Sequence, residues 1–286
     1  MNSVSSLVEH ALKKNVASVI PLAGGSISTA MKATLSDGEI VFVKVSPQRA
    51  DMSPKEANGL RELAKAGTIR TPAVICADEN ILVLEFLRAA SPLNRKMFFE
   101  EFGRQFARLH QCTSSSFGFI EDNYIGSTPQ QNMPRSLSWK EFYFTLRLQY
   151  QFVLAEKNGY ADAELRRCFD ALGRRMDELV PDDGEPPALL HGDLWAGNFL
   201  CIEGSRPVII DPAVYYGHRE ADLAMTMLFG EFGDSFYSSY EETCPLNPGW
   251  QKRMEIYKLY HLFNHLNLFG EGYYGQVLGT MRELVR

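Results

Sequence analysis

Three residues, Asp193, Asn198 and Asp211, have the types and spacing to do chemistry together. In "LLHGDLWAGNFL" (189–200) an acid is followed five positions later by an amide, and a second acid arrives thirteen positions after that in "VIIDPA". A carboxylate within hydrogen-bond reach of a hydroxyl can take its proton, and carboxylate and amide oxygens are the hard ligands that magnesium prefers. A proton acceptor beside metal-holding oxygens is what phosphoryl transfer to an alcohol requires, with magnesium neutralising the triphosphate donor. His191, Asp193 and Asn198 fall on the offsets of the catalytic loop H-R-D-x-x-x-x-N, with Gly192 in place of Arg, and "DPA" stands where a separate D-F-G would be. The competing reading of an Asp and an Asn after a strand is a pair of side-chain-bonded turns.

Groups that would complete such a site occur upstream and in order. "LAGGSIS" (22–28) holds Gly24 and Gly25, which permit close backbone approach to a phosphate, with Ser26, Ile27 and Ser28 completing the turn. Taken alone it is an ordinary glycine turn. Lys44 lies in the alternating strand pattern "IVFVKVS", and Glu56 is placed in the following helix to pair with it. Alone, Lys44 reads as a solvated edge lysine. The run Ser53-Pro54-Lys55-Glu56 also fits a capping box, in which the glutamate would bond the Ser53 amide instead.

The elements that must hold these residues divide the chain near Leu87. Residues 1–87 read as a short helix followed by strands. "KATLSDGEIVFVKVS" alternates as a hairpin about Asp37-Gly38, Ser53-Pro54 opens a helix that Gly67 stops, and "AVICAD" and "ILVLEFL" are two further strands. Residues 88–286 read as mainly helical. "MFFEEFGRQFARLH" spaces Met97, Phe102, Phe106 and Leu109 at helical intervals, and similar patterns cover 139–157, 162–179 and 249–268. The β-like stretch 188–217 interrupts them, carrying the acid-amide motif, a hairpin about Glu203-Gly204, and Asp211. Segment 113–138 is long and polar, the kind of loop that is functional or disordered.

Composition narrows the class of protein. The 286 residues carry a net charge of −6, which argues against a nucleic-acid partner, since such proteins present a basic field. Five scattered cysteines with no C-x-x-C pair fit reduced cytoplasmic thiols better than a disulfide framework or a zinc site. The N-terminus places Glu9, His10, Lys13 and Lys14 where a signal peptide needs an apolar core, and no apolar run is long enough to span a membrane. "HLFNH" puts His261 and His265 at the spacing of a helical zinc pair, but without the glutamate of H-E-x-x-H it reads as packing. Asp222, at a helix start, is expected to cap that helix or brace the catalytic loop.

The longer strings "HGDLWAGN", "DPAVYYGHREADLAM", "FGFIEDNYIGSTPQQN" and "LYHLFNHLNLFG" resemble the fructosamine kinase (ketosamine-3-kinase) family, over nearly the whole chain. The resemblance implies an α+β, two-lobed protein-kinase-like fold, with an ATP-binding lobe at 1–87 and a helical, sugar-amine-binding lobe at 88–286. It implies ATP and Mg²⁺ as cofactors and a fructosamine, ribulosamine or erythrulosamine acceptor, free or protein-linked, phosphorylated at O3. Phosphorylation there destabilises the adduct, which implies protein deglycation. By the same resemblance Asp193 is the base, Asn198 and Asp211 hold Mg²⁺, Lys44 contacts the α/β-phosphates and Glu56 fixes Lys44. Glu85, Phe86 and Leu87 present backbone to adenine. His191 and Trp195 lie on the substrate side, Trp195 offering an apolar face to the sugar and His191 tying its imidazole to nearby backbone. Ala196 stands where the family often has Gly or Ser, and His218 where Asp is common. An aminoglycoside or choline kinase of the same fold, or a catalytically silent nucleotide-binding protein, are the alternatives.

Overall fold

The computed structural model describes residues 4–22, 29–46, 49, 51–180, 182–230 and 232–286. Helix α1 (Val4–Leu12) precedes strands β1 (Val16–Pro21), β2 (Thr29–Leu35) and β3 (Ile40–Val45), helix α2 (Met52–Ala66), and strands β4 (Val74–Ala77) and β5 (Leu82–Glu85). The strands form one antiparallel sheet in the order β1-β2-β3-β5-β4. The β2-β3 connection places only Gly38, at φ 88°, in the left-handed region, and the Leu35 amide donates to the Glu39 carbonyl at 2.8 Å. That is a three-residue loop with a glycine bulge rather than a two-residue turn.

Strand alternation decides which way Lys44 faces. Val41 and Val43 are buried with Val8 of α1, Ala33, Leu35, Ile81 and Val83 on one side of the sheet. Phe42 therefore lies on the other face, packed with Ala57, Leu60, Leu82 and Leu84, and Lys44 shares that face, two residues on. Helix α2 lies there too, ended by Gly67 at φ 64°.

The rest of the chain is mainly helical. Helix α3 (Arg95–His110), capped by the Asn94 side chain, buries Phe98, Phe99, Phe102 and Phe106 against α9 (Asp234–Thr243). Gly103 is needed at that crossing, because a Cβ there would sit 2.2 Å from the Phe236 carbonyl oxygen. Met97, placed by its spacing on the apolar face, is 64 % exposed, one residue before the buried stripe begins.

The 139–157 pattern forms α4 (Trp139–Tyr143) and α5 (Tyr150–Lys157), joined by a π-helical segment, Phe144–Gln149. The 162–179 pattern splits into α6 (Ala163–Arg174) and α7 (Met176–Leu179). Helix α8 (Arg219–Leu228) packs on the long α10 (Trp250–Phe269), and α11 (Tyr274–Leu284) closes the chain.

Segment 113–138 is ordered. It contains the hairpin β6 (Asn123–Ile125) and β7 (Thr128–Gln130), and its Asn123, Thr128, Gln130 and Asn132 are buried. Two short antiparallel pairs carry the motif residues: β8 (Ala188–Leu190) with β11 (Tyr215–Gly217), and β9 (Phe199–Ile202) with β10 (Arg206–Ile209). The chain is thus α+β, with a five-stranded antiparallel sheet followed by a mainly helical body that carries three short strand pairs among the described residues.

Candidate active site

The loop between β8 and β9 carries Asp193 and Asn198, and the loop between β10 and β11 carries Asp211. The two loops are stitched together: the Ile210 amide donates to the Asn198 carbonyl at 3.0 Å and the Ala213 amide to the His191 carbonyl at 2.8 Å. Gly192 has φ 83°, and a Cβ on it would lie 2.0 Å from the Ala213 carbonyl oxygen. Any larger residue, including the arginine of the related loop pattern, would force the two loops apart. Asp211 itself adopts φ 52°, a left-handed conformation that Asp tolerates better than most residues.

His191 is completely buried. Its Nε2 lies 2.9 Å from the Ile210 carbonyl, which can only accept, so Nε2 carries the proton and Nδ1 accepts from the Asp193 amide at 3.2 Å. Both ring nitrogens are committed and burial holds its pKa below the ordinary histidine range. The imidazole ties the two loops together and has no group to offer a substrate, which corrects its placement on the substrate side.

Beneath it, the Asp222 carboxylate accepts from the His191 amide at 2.7 Å, from the Gly192 amide at 2.8 Å, and contacts His110 Nε2 at 3.2 Å. Asp222 braces the loop, while the cap of α8 is the His218 side chain, which accepts from the Glu220 amide. Although burial alone would raise it, the Asp222 carboxyl is held below its usual range by His110 and the backbone donors.

Asp193 is half-buried. Burial first, then the like charges of Asp211 and Asp222, push its carboxyl well above the ordinary carboxylate range, against the pull of Asn198 and Lys44. Asn198 Nδ2 donates to the Asp193 carbonyl at 2.8 Å and lies 3.3 Å from Oδ2. With its nitrogen so engaged, Asn198 has its amide oxygen to present, and the bond from the Ile210 amide to the Asn198 carbonyl brings the loop of Asp211 alongside. These two hard oxygen donors, in a site where the charges of Asp211 and Asp222 push up the Asp193 carboxyl, fit a magnesium ion and would hold it.

Lys44 Nζ is 2.7 Å from Glu56 Oε2 and 3.3 Å from Asp211 Oδ1. Burial would lower the lysine's pKa, but these two carboxylates outweigh it and keep the ammonium charged. Glu56 does not cap: α2 begins at Met52, Ser53 is buried within its first turn, and the Glu56 carboxylate faces Lys44, with Oε1 unpartnered. The capping-box reading fails because α2 starts two residues earlier than the box requires, with Asp51 rather than Ser53 at the N-cap, and turns Glu56 toward the sheet. Helix α2 is fastened to the helical body by Asn58 to Glu121 at 2.8 Å, Tyr216 to Glu62 at 3.0 Å and Tyr124 to Asp51 at 2.6 Å. Glu56→Gln is expected to leave a folded protein whose kcat/KM for nucleotide falls roughly 10²-fold, as Lys44 loses its locating charge. Full activity in a steady-state assay would deny the pair that role.

Phe42, Leu84, Leu87, Leu200 and Ile210 line a small apolar cleft of about 60 Å³ that also reaches Glu85 and Asp211. The Glu85 carboxylate is occupied by Arg70 at 2.5 Å, so its part in the cleft falls to its backbone. The Phe86 ring lies under Lys32 Nζ at 5.5 Å. Gly24, Gly25, Ser26, Ile27 and Ser28 lie outside the described residues. Trp195 is exposed beside Asp193, its indole lying where a Cβ on Gly197 would sit 2.5 Å away.

Several supporting residues were not singled out from the sequence. Asn123 donates to the Val214 carbonyl at 2.7 Å and Gln130 to the Ala213 carbonyl at 3.0 Å, fixing the backbone just after Asp211. Tyr260 donates to Gln130 at 2.8 Å. Arg147, from the π-helical segment, is wholly buried, donates to Asn132 at 2.7 Å and lies 4.1 Å from the Tyr215 ring centroid. The signal for Asn123, Gln130 and Asn132 was the unusual density of amides in "DNYIGSTPQQN"; Arg147 and Tyr260 lie outside that string.

His261 and His265 share no metal geometry: His265 Nδ1 donates to the His261 carbonyl at 2.7 Å, and His261 is buried with Nδ1 unpartnered. Burial, reinforced by His265, lowers the His261 pKa to about 3. A histidine ordinarily titrates near 6.5 when unfolded. Between pH 6.5 and 3 the unfolded chain therefore binds the extra proton, and stability falls as pH falls through that window. His261→Phe is expected to lose less of its urea midpoint between pH 7 and pH 5 than the parent protein; an equal loss would contradict the assignment.

The antiparallel sheet with a lysine-glutamate pair, over a helical body that supplies an Asp-Asn loop and a second Asp, is the architecture of protein-kinase-like phosphotransferases. A solved aminoglycoside phosphotransferase shares it at a TM-score of 0.65 over 99 % of this chain and 98 % of its own, at 15 % identity, a likeness of fold alone. The chain belongs to the fructosamine kinase family, whose model matches residues 1–286.

It is 41 % identical to a Synechocystis protein named "probable ketoamine kinase", over 88 % of this chain and 85 % of that one. It is 38 % identical to the chloroplastic protein-ribulosamine 3-kinase of Arabidopsis thaliana, over 92 % of this chain and 81 % of that one. The crystal structure of a candidate fructosamine-3-kinase from Thermobifida fusca matches at a TM-score of 0.89 and 34 % identity, over 100 % of this chain and 99 % of that one.

Proposed function

We propose that this chain transfers the γ-phosphoryl group of ATP to the O3 hydroxyl of a ketosamine, free or protein-linked. The observation that carries the reading is the convergence of Asp193, Asn198, Asp211 and the Lys44–Glu56 pair beside an apolar cleft, in a chain of the fructosamine kinase family.

Residues 1–87 supply the nucleotide side. The cleft takes adenine between Phe42 and Leu84 above and Leu200 and Ile210 below, with backbone of 85–87 at its edge, and Lys44 contacts the α/β-phosphates while Glu56 locates it. Residues 88–286 supply the acceptor side. Asp193 takes the O3 proton as the O3–P bond forms and the bond from phosphorus to the departing ADP oxygen breaks. Magnesium held by Asn198 and Asp211 would supply charge neutralisation on the phosphates. The Trp195 indole gives the sugar an apolar wall.

Phosphate at O3 weakens the bond from sugar to amine, so the activity would serve removal of sugar adducts from lysines. Its five free thiols suit the reducing cytoplasm. The test is magnesium-dependent ADP formation across fructosyl-, ribulosyl- and erythrulosyl-lysine, an aminoglycoside and choline. Turnover confined to the ketosamines supports the reading, and turnover on the aminoglycoside or choline alone overturns it.

A further inference from the structure

Among the described residues, three aromatic side chains are exposed: Trp195, Phe229 and Phe269, at 38 %, 40 % and 49 %. Every other described Phe, Trp and Tyr is buried or half-buried. These three are not scattered. Trp195 meets Phe229 edge-on at 6.0 Å between centroids, Phe229 lies 4.9 Å from the His265 ring, and His265 lies 5.3 Å from Phe269. Tyr273 backs the far end, 5.1 Å from His265. The rings come from three separate places, the catalytic loop, the end of α8 and the last turns of α10, so local sequence does not explain their meeting. One end of the run stands two residues from Asp193.

Isolated exposed apolar residues call for no explanation, but a contiguous patch beside a reaction centre marks a binding surface. We infer that Trp195, Phe229 and Phe269 form a track for the amine-bearing arm of the acceptor, the side chain of a glycated lysine, and so favour lysine-linked ketosamines over those of small amines. The inference rests on the proposed phosphorylation of ketosamines.

The chemistry of that arm matches the track. Its nitrogen is a secondary amine, cationic near neutral pH, and a cation is attracted to aromatic faces. Beyond it run four methylenes, which gain by covering exposed rings. His265 adds no opposing charge, since burial lowers its pKa, and its Nδ1 is already bonded to the His261 carbonyl. A sugar seated against Trp195 with its hydroxyl at Asp193 leaves the amine to continue outward along Phe229.

The test compares kcat/KM for ribulosyl-Nε-lysine in a short peptide with that for ribulosyl-methylamine, in the parent protein and in Phe229→Ala, Phe269→Ala and Phe269→Leu. The ratio of the two values, peptide over methylamine, is expected to fall roughly tenfold in each alanine variant, about the loss of one cation-aromatic or apolar contact, and less in Phe269→Leu. Because it is a ratio, it is indifferent to how much of each variant is folded. An unchanged ratio in both alanine variants, whether the two activities hold or drop together, overturns the track. Failure of the parent protein on both acceptors instead removes the ketosamine reading, and the track with it.

Discussion

Asp193→Asn is expected to lower kcat by about 10³-fold, within the range ascribed to a positioned general base, while nucleotide affinity stays within a few-fold of the parent value. The substitution keeps the size of the side chain and leaves Lys44, Glu56 and Asp211 in place. The loop should also keep its shape, since its bonds run through the Asp193 backbone: the amide to His191 Nδ1 and the carbonyl to Asn198 Nδ2. What is lost is an anionic oxygen able to receive the hydroxyl proton. Steady-state kinetics with titration calorimetry of nucleotide separates the effects, and undiminished kcat would take Asp193 out of the base role.

Asp222→Asn is expected to cost about 3 kcal/mol of stability, the upper end of what leaving a buried polar group without its partner costs. Each carboxylate oxygen accepts a backbone N–H, from His191 and from Gly192, and the pair with His110 completes the set. An asparagine must point its NH₂ at one of those donors, leaving a buried amide without an acceptor. For a chain of this size the melting temperature should fall on the order of 10 °C. The residual folded protein should be less active, because the same two amides hold the loop that aims Asp193. A melting temperature within two degrees of the parent value, measured by calorimetry, would show that the brace carries little.

The candidate set was legible because its parts are local. Asp193, Asn198 and Asp211 occupy one β-rich stretch at fixed spacing, and strand alternation alone puts Lys44 on the face of Phe42 and away from the α1 side. What was illegible depends on contacts distant in sequence. Whether Glu56 caps its own helix or reaches Lys44 is decided by where α2 begins and by its fastening to residues 121, 124 and 216. The role of His191 depended on a carbonyl nineteen residues away. Segment 113–138 looked like a loop because its amides are polar, yet those amides are buried and hold the backbone after Asp211. The patch at Phe229 and Phe269 was hidden because helical periodicity predicts an apolar stripe and does not tell a packed ring from an exposed one.

The most direct test of phosphoryl transfer to a ketosamine is to locate the phosphate on the product. Incubation with ATP, Mg²⁺ and ribulosyl-Nε-lysine, followed by carbon-phosphorus coupling in the NMR spectrum of the product, should show the phosphate on the sugar O3. Phosphate on any other oxygen, or ADP formation that leaves the sugar unmodified, would contradict the account.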